Sequence, residues 1–77
     1  MTLDHLSQLV DKGIILDVLV SPTPEGFSVT VETISKREVI ETVRGLQRHW
    51  KTLGTLCENL AERGIKEWRF EDRCAAH

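Results

Sequence analysis

Four neighbouring side chains that could bind an anion or an aromatic ring lie near the middle of the chain. Arg48, His49, Trp50 and Lys51 follow one another, and Arg44 lies four residues before Arg48. Arginine and lysine bind carboxylate or phosphate groups, and an exposed tryptophan can stack on a nucleic-acid base. This basic stripe therefore predicts a small binding surface for phosphate or for an acidic patch on another protein.

Trp50 also fits a second interpretation. In an extended segment it shares a face with Leu46 and Arg48, while the residues between them point the other way. A tryptophan that follows the periodicity of apolar neighbours is typical of a core. We therefore expect Trp50 to be buried, with His49 and Lys51 facing solvent.

A second group with binding potential is found in the apolar run at residues 14–20. In a strand, Ile15, Asp17 and Leu19 share one face, opposite the other apolar side chains of the run. This pattern predicts either an interface, such as a dimer contact through an exposed strand edge, or a half-covered sheet face with Asp17 at its solvent edge.

No pattern in the sequence indicates catalysis, a metal site or a cofactor. The nucleophile elbow, the zinc-protease helix motif and the glycine-rich nucleotide loops are all missing. The histidines and cysteines are scattered, at His5, His49, Cys57, Cys74 and His77. The carboxylate pair Glu58 and Glu62 fits the solvated face of a helix. The sequence therefore predicts a protein that is not an enzyme and binds no metal or cofactor.

Length and composition predict one small domain. The chain has 77 residues and a formal net charge of −2, with 40% hydrophobic and 29% charged residues. We expect a domain over residues 1–72 and a frayed tail at 73–77. No apolar signal segment or membrane span is present, which favours a cytoplasmic protein. The overall charge is also too weakly basic to predict non-specific nucleic-acid binding.

The elements that must position these residues begin with a helix at 2–12, which Thr2 can cap and Gly13 can end. Alternating apolar residues then predict strands at 14–21 and 27–34. The proline- and glycine-containing segment 21–26 separates them, so we expect a hairpin with a longer loop.

Residues 35–63 allow two interpretations. A heptad-spaced apolar seam and a capping box at Ser35 and Glu38 predict one long helix over 36–63. Alternatively, the β-branched residues of 37–43 form a strand, 44–45 is a turn, and 47–51 returns as a fourth strand. Thr52 then caps a helix over 53–63. We prefer the broken form, because two glycines inside one helix cost about 1 kcal/mol each.

The segment 65–71 alternates again and predicts a final strand. The element order is then α-β-β-β-β-α-β, an α+β domain with a mostly antiparallel sheet and the second helix packed on it. The last strand follows a helical crossover, so its contact with a neighbouring strand is expected to be parallel.

These features favour a small protein–protein interaction module that regulates or inhibits a partner by covering its surface. Its small size is typical of accessory proteins of phages and plasmids, which suggests a host nucleoprotein complex as the target. Homodimerisation is one way for such a thin core to be completed. The alternative is a nucleic-acid-binding module that uses the basic stripe at 44–51.

Overall fold

The first helix, α1 (Leu3–Lys12), forms as the sequence predicts. The computed structural model describes residues 1–70, so the predictions for Cys74, His77 and the tail at 73–77 lie outside the described residues. The Thr2 side chain accepts a hydrogen bond from the His5 N–H group at 3.2 Å, which satisfies one free donor of the first turn. Gly13 ends the helix in the left-handed conformation, at φ 69°.

Two long strands, β1 (Ile15–Thr23) and β2 (Gly26–Thr33), form an antiparallel hairpin. The predicted longer loop is wrong, because Thr23 pairs with Gly26 and only residues 24–25 connect the strands. Pro22 fits inside β1 because its partner Phe27 directs its own N–H and carbonyl groups away, toward Trp50. The proline nitrogen therefore faces the other edge of β1, where no donor is needed.

The third strand, β3 (Arg37–Val39), is shorter than predicted, and no continuous strand forms at 47–51. That segment makes only single bridges, from Gln47 to Glu41 and from Trp50 to Phe27. Its two ends contact different parts of the sheet, since Glu41 follows β3 and Phe27 begins β2. A continuous ladder with one partner strand is therefore impossible here.

The second helix, α2 (Leu53–Glu62), begins after Thr52, so the single long helix over 36–63 is wrong. The Thr52 side chain accepts a hydrogen bond from the Thr55 N–H group at 3.3 Å. Leu56 and Leu60 are fully buried, whereas Leu53 is 37% exposed. After a crossover, β4 (Arg69–Phe70) pairs with β1 in parallel, as predicted, although over two residues only.

The described sheet has the strand order β3-β2-β1-β4, and both helices cover the same face of it. This is the predicted α+β class, with a mixed but mostly antiparallel sheet. The core joins apolar side chains of both helices to the inward positions of the two central strands. Its central members are Leu3, Leu6, Val18, Val20, Val29, Val31, Ile40, Trp50, Leu56, Leu60 and Ile65.

Candidate interaction surface

Neither helix covers the face of the sheet that lies opposite the core. Side chains alternate along a strand, so the neighbours of the core residues point to this side. We call it the open face. Its members are Asp17, Leu19 and Ser21 of β1, Ser28, Thr30 and Glu32 of β2, Arg37 and Val39 of β3, and Arg69 of β4.

Charged side chains occupy one end of the open face. Arg37 pairs with Glu32 across β3 and β2, and Glu32 is opposite Asp17 on β1. The Arg69 guanidinium of β4 donates a hydrogen bond to Asp17 Oδ2, and the Val18 N–H group donates to Asp17 Oδ1 at 2.9 Å. The charges across β3, β2, β1 and β4 are therefore positive, negative, negative and positive, with the two carboxylates on the central strands and an arginine on each side.

The contact between Asp17 and Arg69 is the main electrostatic interaction of this end. The hydrogen bond from Arg69 lowers the pKa of Asp17 below its usual range, and the positive charge of Arg69 acts in the same direction. The carboxylate in turn raises the pKa of Arg69. Because the Arg69 side chain is 71% exposed, solvent screens this ion pair, and it adds only modestly to the pairing of β4 with β1.

The middle of the open face carries short or apolar side chains. Leu19, Ser21 and Ser28 are only 8%, 7% and 5% exposed although neither helix covers them. Thr30 lies beside Leu19 on β2, and Val39 lies beyond Thr30 on β3. A depression of about 340 Å³ lies beside Leu19 and is lined by Glu32, Arg37, Arg69 and Phe70. A second one, of about 280 Å³, is lined by Ser21, Pro22, Thr23, Ser28, Thr30, Val39 and Gln47. The middle is therefore shallowly concave, with longer charged side chains at one end.

The predicted common face of Ile15, Asp17 and Leu19 is wrong for Ile15. A bulge between Ile15 and Asp17 inserts Leu16 as an extra residue, so that Ile15 pairs with Thr33 and Asp17 with Glu32. Ile15 consequently packs against the core, whereas Leu16 is 60% exposed. Asp17 and Leu19 lie on the open face, next to partners on β2, β3 and β4 that the sequence pattern had not connected with them.

The predicted basic stripe does not form one surface. The Arg48 guanidinium lies over the ring of Trp50, 5.1 Å from its centroid, on the helix-covered side. His49 points the other way, and its Nδ1 lies 3.1 Å from Glu25 Oε2. Lys51 is exposed just before α2. Arg44 stands apart from them, in the turn before Gly45.

The expected burial of Trp50 is confirmed, since the residue is 3% exposed. The ring packs among the core side chains, and the backbone of Trp50 exchanges two hydrogen bonds of 2.8 Å with Phe27. A base cannot stack on a ring in this position.

The described residues offer little that would support other kinds of site. Within residues 1–70, no three His, Cys, Asp or Glu side chains converge in a group that could hold a metal ion. Neither α1 nor α2 has the length and apolar character that crossing a membrane requires. An open groove of about 570 Å³ lies between the first half of β1 and residues 64–69, with Leu16 and Trp68 among its walls.

Comparison of the chain with protein-family models, with curated proteins and with solved structures finds no match.

Sequence reasoning missed most of the open face. The sequence of β2 contained a pattern that indicates this face, because Ser28, Thr30 and Glu32 alternate with the apolar residues. That pattern defines an outward face, but it does not tell whether a helix covers that face. Arg69 was missed because the alternation of residues 65–71 predicts a strand but does not show which strand it pairs with, and therefore not that Arg69 contacts Asp17.

Proposed function

We propose that this chain is a non-catalytic protein-binding domain, a small regulator or inhibitor that covers a partner's surface with its open face. The observation that carries the proposal is the one-sided packing of the fold. Both helices lie on one side of the sheet, and the other side has an apolar and hydroxyl-bearing middle with charged residues at one end. Protein interfaces commonly combine a less charged centre with a polar rim.

The composition of the open face differs from that of an ordinary solvent-exposed sheet face. A face that only meets water usually carries polar side chains at most outward positions. Here Leu19 lies on the central strand β1 and Val39 on the edge strand β3, with the hydroxyl side chain of Thr30 between them. Since Leu19, Ser21 and Ser28 are already almost buried, a partner would contact mainly the half-buried side chains of Thr30 and Val39.

The charges favour a protein over a nucleic acid as the partner. Arg69 is already neutralised by Asp17, and Glu32 lies opposite Arg37, so this end has no excess of positive charge. Phosphate-driven binding needs a clearly basic face. The further suggestion of a host nucleoprotein complex, as a phage or plasmid protein would target, rests on the small size of the chain.

The experiment that tests the proposal is affinity capture from an extract of the source organism, with and without nuclease. We expect a defined protein to be retained after nuclease treatment and at raised salt. Retention that disappears with nuclease would contradict the proposal and favour the nucleic-acid alternative. Sedimentation of the isolated chain shows whether a second copy is the partner.

Two matched variants connect the capture to the open face. Thr30→Arg places a long charged side chain at the centre of that face, on a strand position that tolerates it at a cost of about 1 kcal/mol or less. Gln8→Arg makes the same charge change at an exposed position of α1. We expect Thr30→Arg to weaken capture by at least about tenfold, equivalent to about 1.4 kcal/mol, and Gln8→Arg to have no effect. Equal capture by both variants would refute the role of the open face.

A further inference from the structure

The turn between β3 and the Trp50 bridge displays the most exposed apolar side chain of the described chain. We call residues 42–46 the tip loop. Val43 is 92% exposed and Leu46 is 66% exposed, and Arg44 lies between them in sequence. Two such side chains next to each other add almost nothing to the core, and clustered exposed apolar groups often indicate a binding site.

Backbone hydrogen bonds define the shape of the tip loop. The Gly45 N–H group donates to the Thr42 carbonyl oxygen at 2.9 Å, and the Thr42 N–H group donates to the Leu46 carbonyl oxygen at 2.7 Å. The Thr42 hydroxyl oxygen accepts a further bond from the Leu46 N–H group at 3.3 Å. Gly45 has φ 85°, the left-handed conformation that a three-residue hairpin loop requires after its first turn.

The base of the tip loop is also held in place. Glu41 and Gln47 form a bridge across it, and the Glu41 N–H group donates to the Met1 carbonyl oxygen at 2.6 Å. The backbone of the loop is therefore held in one conformation before any partner arrives. Such pre-organisation reduces the entropy that binding must remove.

Arg44 identifies the chemistry of the partner. Its guanidinium makes no hydrogen bond or ion pair with any of residues 1–70. Arginine is enriched among the residues that dominate binding energy in interfaces, where it pairs with a carboxylate. We infer that the tip loop inserts Val43 and Leu46 into an apolar pocket of a partner protein, and that Arg44 pairs with a carboxylate at the rim of this pocket.

A membrane surface fits the tip loop less well. Peripheral attachment to anionic lipid usually uses a cluster of several basic residues, whereas the tip loop has one. A projecting loop of five residues also matches a concave protein site better than a flat surface. The inference rests on the proposed function, because both need a protein partner, but it concerns a surface distinct from the open face.

Site-specific photo-crosslinking tests the inference in the full chain. A diazirine amino acid is placed at position 43, and at position 34 as a control, because Ile34 is also strongly exposed, at 81%. After irradiation in an extract of the source organism, mass spectrometry locates the cross-linked residue in the partner. We expect position 43, but not position 34, to react inside an apolar pocket that has Asp or Glu at its rim.

Substitutions separate the tip loop from the open face. In chains without the cross-linking residue, Arg44→Glu and Val43→Ser should each reduce the capture yield by about tenfold or more, whereas Lys12→Glu and Ile34→Ser should leave it unchanged. All four positions are exposed, so the fold should tolerate each change. Equal cross-linking from positions 43 and 34, or none from position 43, would overturn the inference.

The remaining outcomes are also decisive. If Thr30→Arg abolishes capture while the tip-loop variants retain it, the tip-loop inference is wrong and the proposed function stands. If only the tip-loop variants lose capture, the inference holds and the role of the open face is wrong. Binding to vesicles of phosphatidylcholine and phosphatidylserine that Val43→Ser abolishes, without a cross-linked protein, would replace the protein pocket by a lipid surface.

Discussion

Gly26→Ala should destabilise the fold far more than an alanine at any of the other positive-φ glycines with free space around them. Gly26 begins β2 with φ 132°, a conformation that side-chain-bearing residues rarely adopt. A Cβ atom here would overlap the carbonyl oxygen of Trp50 and lie 3.0 Å from its carbonyl carbon. The neighbouring residue Phe27 exchanges both of its outer backbone hydrogen bonds with Trp50.

The size of the effect follows from two contributions. Backbone strain at such a φ costs about 2 kcal/mol. Moving Trp50 aside removes two backbone hydrogen bonds, each worth about 1 kcal/mol. The free energy of unfolding should therefore fall by about 4 kcal/mol, a large share of the roughly 4–12 kcal/mol expected for a chain of this length.

Urea denaturation followed by circular dichroism measures this change. With a slope near 1 kcal/mol per molar urea, Gly26→Ala should lower the midpoint by roughly 4 M or leave the chain unfolded. Gly13→Ala and Gly45→Ala are matched controls, because both glycines have positive φ but no atom within 4 Å of the added Cβ. Each control substitution should lower the free energy of unfolding by only about 1 kcal/mol. A Gly26→Ala effect no larger than that of the controls would refute the reasoning.

Two further predictions concern the ion pair of the open face and the core. Asp17→Asn should lower the free energy of unfolding at neutral pH, because Arg69 lowers the pKa of Asp17 in the folded state and the pair stabilises the fold above the usual pKa. The difference from wild type in urea denaturation should disappear on acidification, as the pH falls through the lowered pKa of Asp17 and the carboxylate becomes protonated. A difference that grows on acidification would contradict this. Leu60→Ala, at a fully buried position, should lower the free energy of unfolding by about 2–5 kcal/mol, as measured by thermal denaturation. Leu53→Ala, at a position 37% exposed, should lower it by less than half as much. Equal losses would mean that α2 does not pack through Leu60.

Much of the fold could be predicted because local signals and tertiary packing agree. Thr2 and Thr52 cap helices that both begin at the next residue, and the alternation in residues 27–34 defines an inward face that packs on both helices. Gly45 correctly argued against one long helix, since it has a positive φ in a turn, whereas Gly54 lies inside α2 and did not distinguish the two forms. In each case a few neighbouring residues are sufficient to determine the structure.

The errors arise where distant contacts decide the local structure. The loop at 24–25 is short because Phe27 pairs outward with Trp50, which allows Pro22 to remain inside β1. The bulge at Leu16 reverses the side on which Ile15 lies, and no residue type at that point requires it.

The candidate site was predictable only in part. Asp17 and Leu19 were selected from their alternation, and both lie on the open face. Arg48 and His49 were grouped because they are adjacent in sequence, but adjacent residues of an extended segment point to opposite sides. Which face of a sheet remains uncovered depends on where both helices pack, and a single strand pattern cannot contain that information.

The most direct test of the central claim is methyl NMR of the labelled chain, titrated with the partner protein that affinity capture identifies. Leu19 and Val39 report on the open face, whereas Leu3 and Leu9 report on α1. We expect the methyl signals of Leu19 and Val39 to shift or broaden as the partner is added, while those of Leu3 and Leu9 remain unchanged. Shifts confined to the helix side, with Leu19 and Val39 unaffected, would contradict the claim that the open face binds the partner.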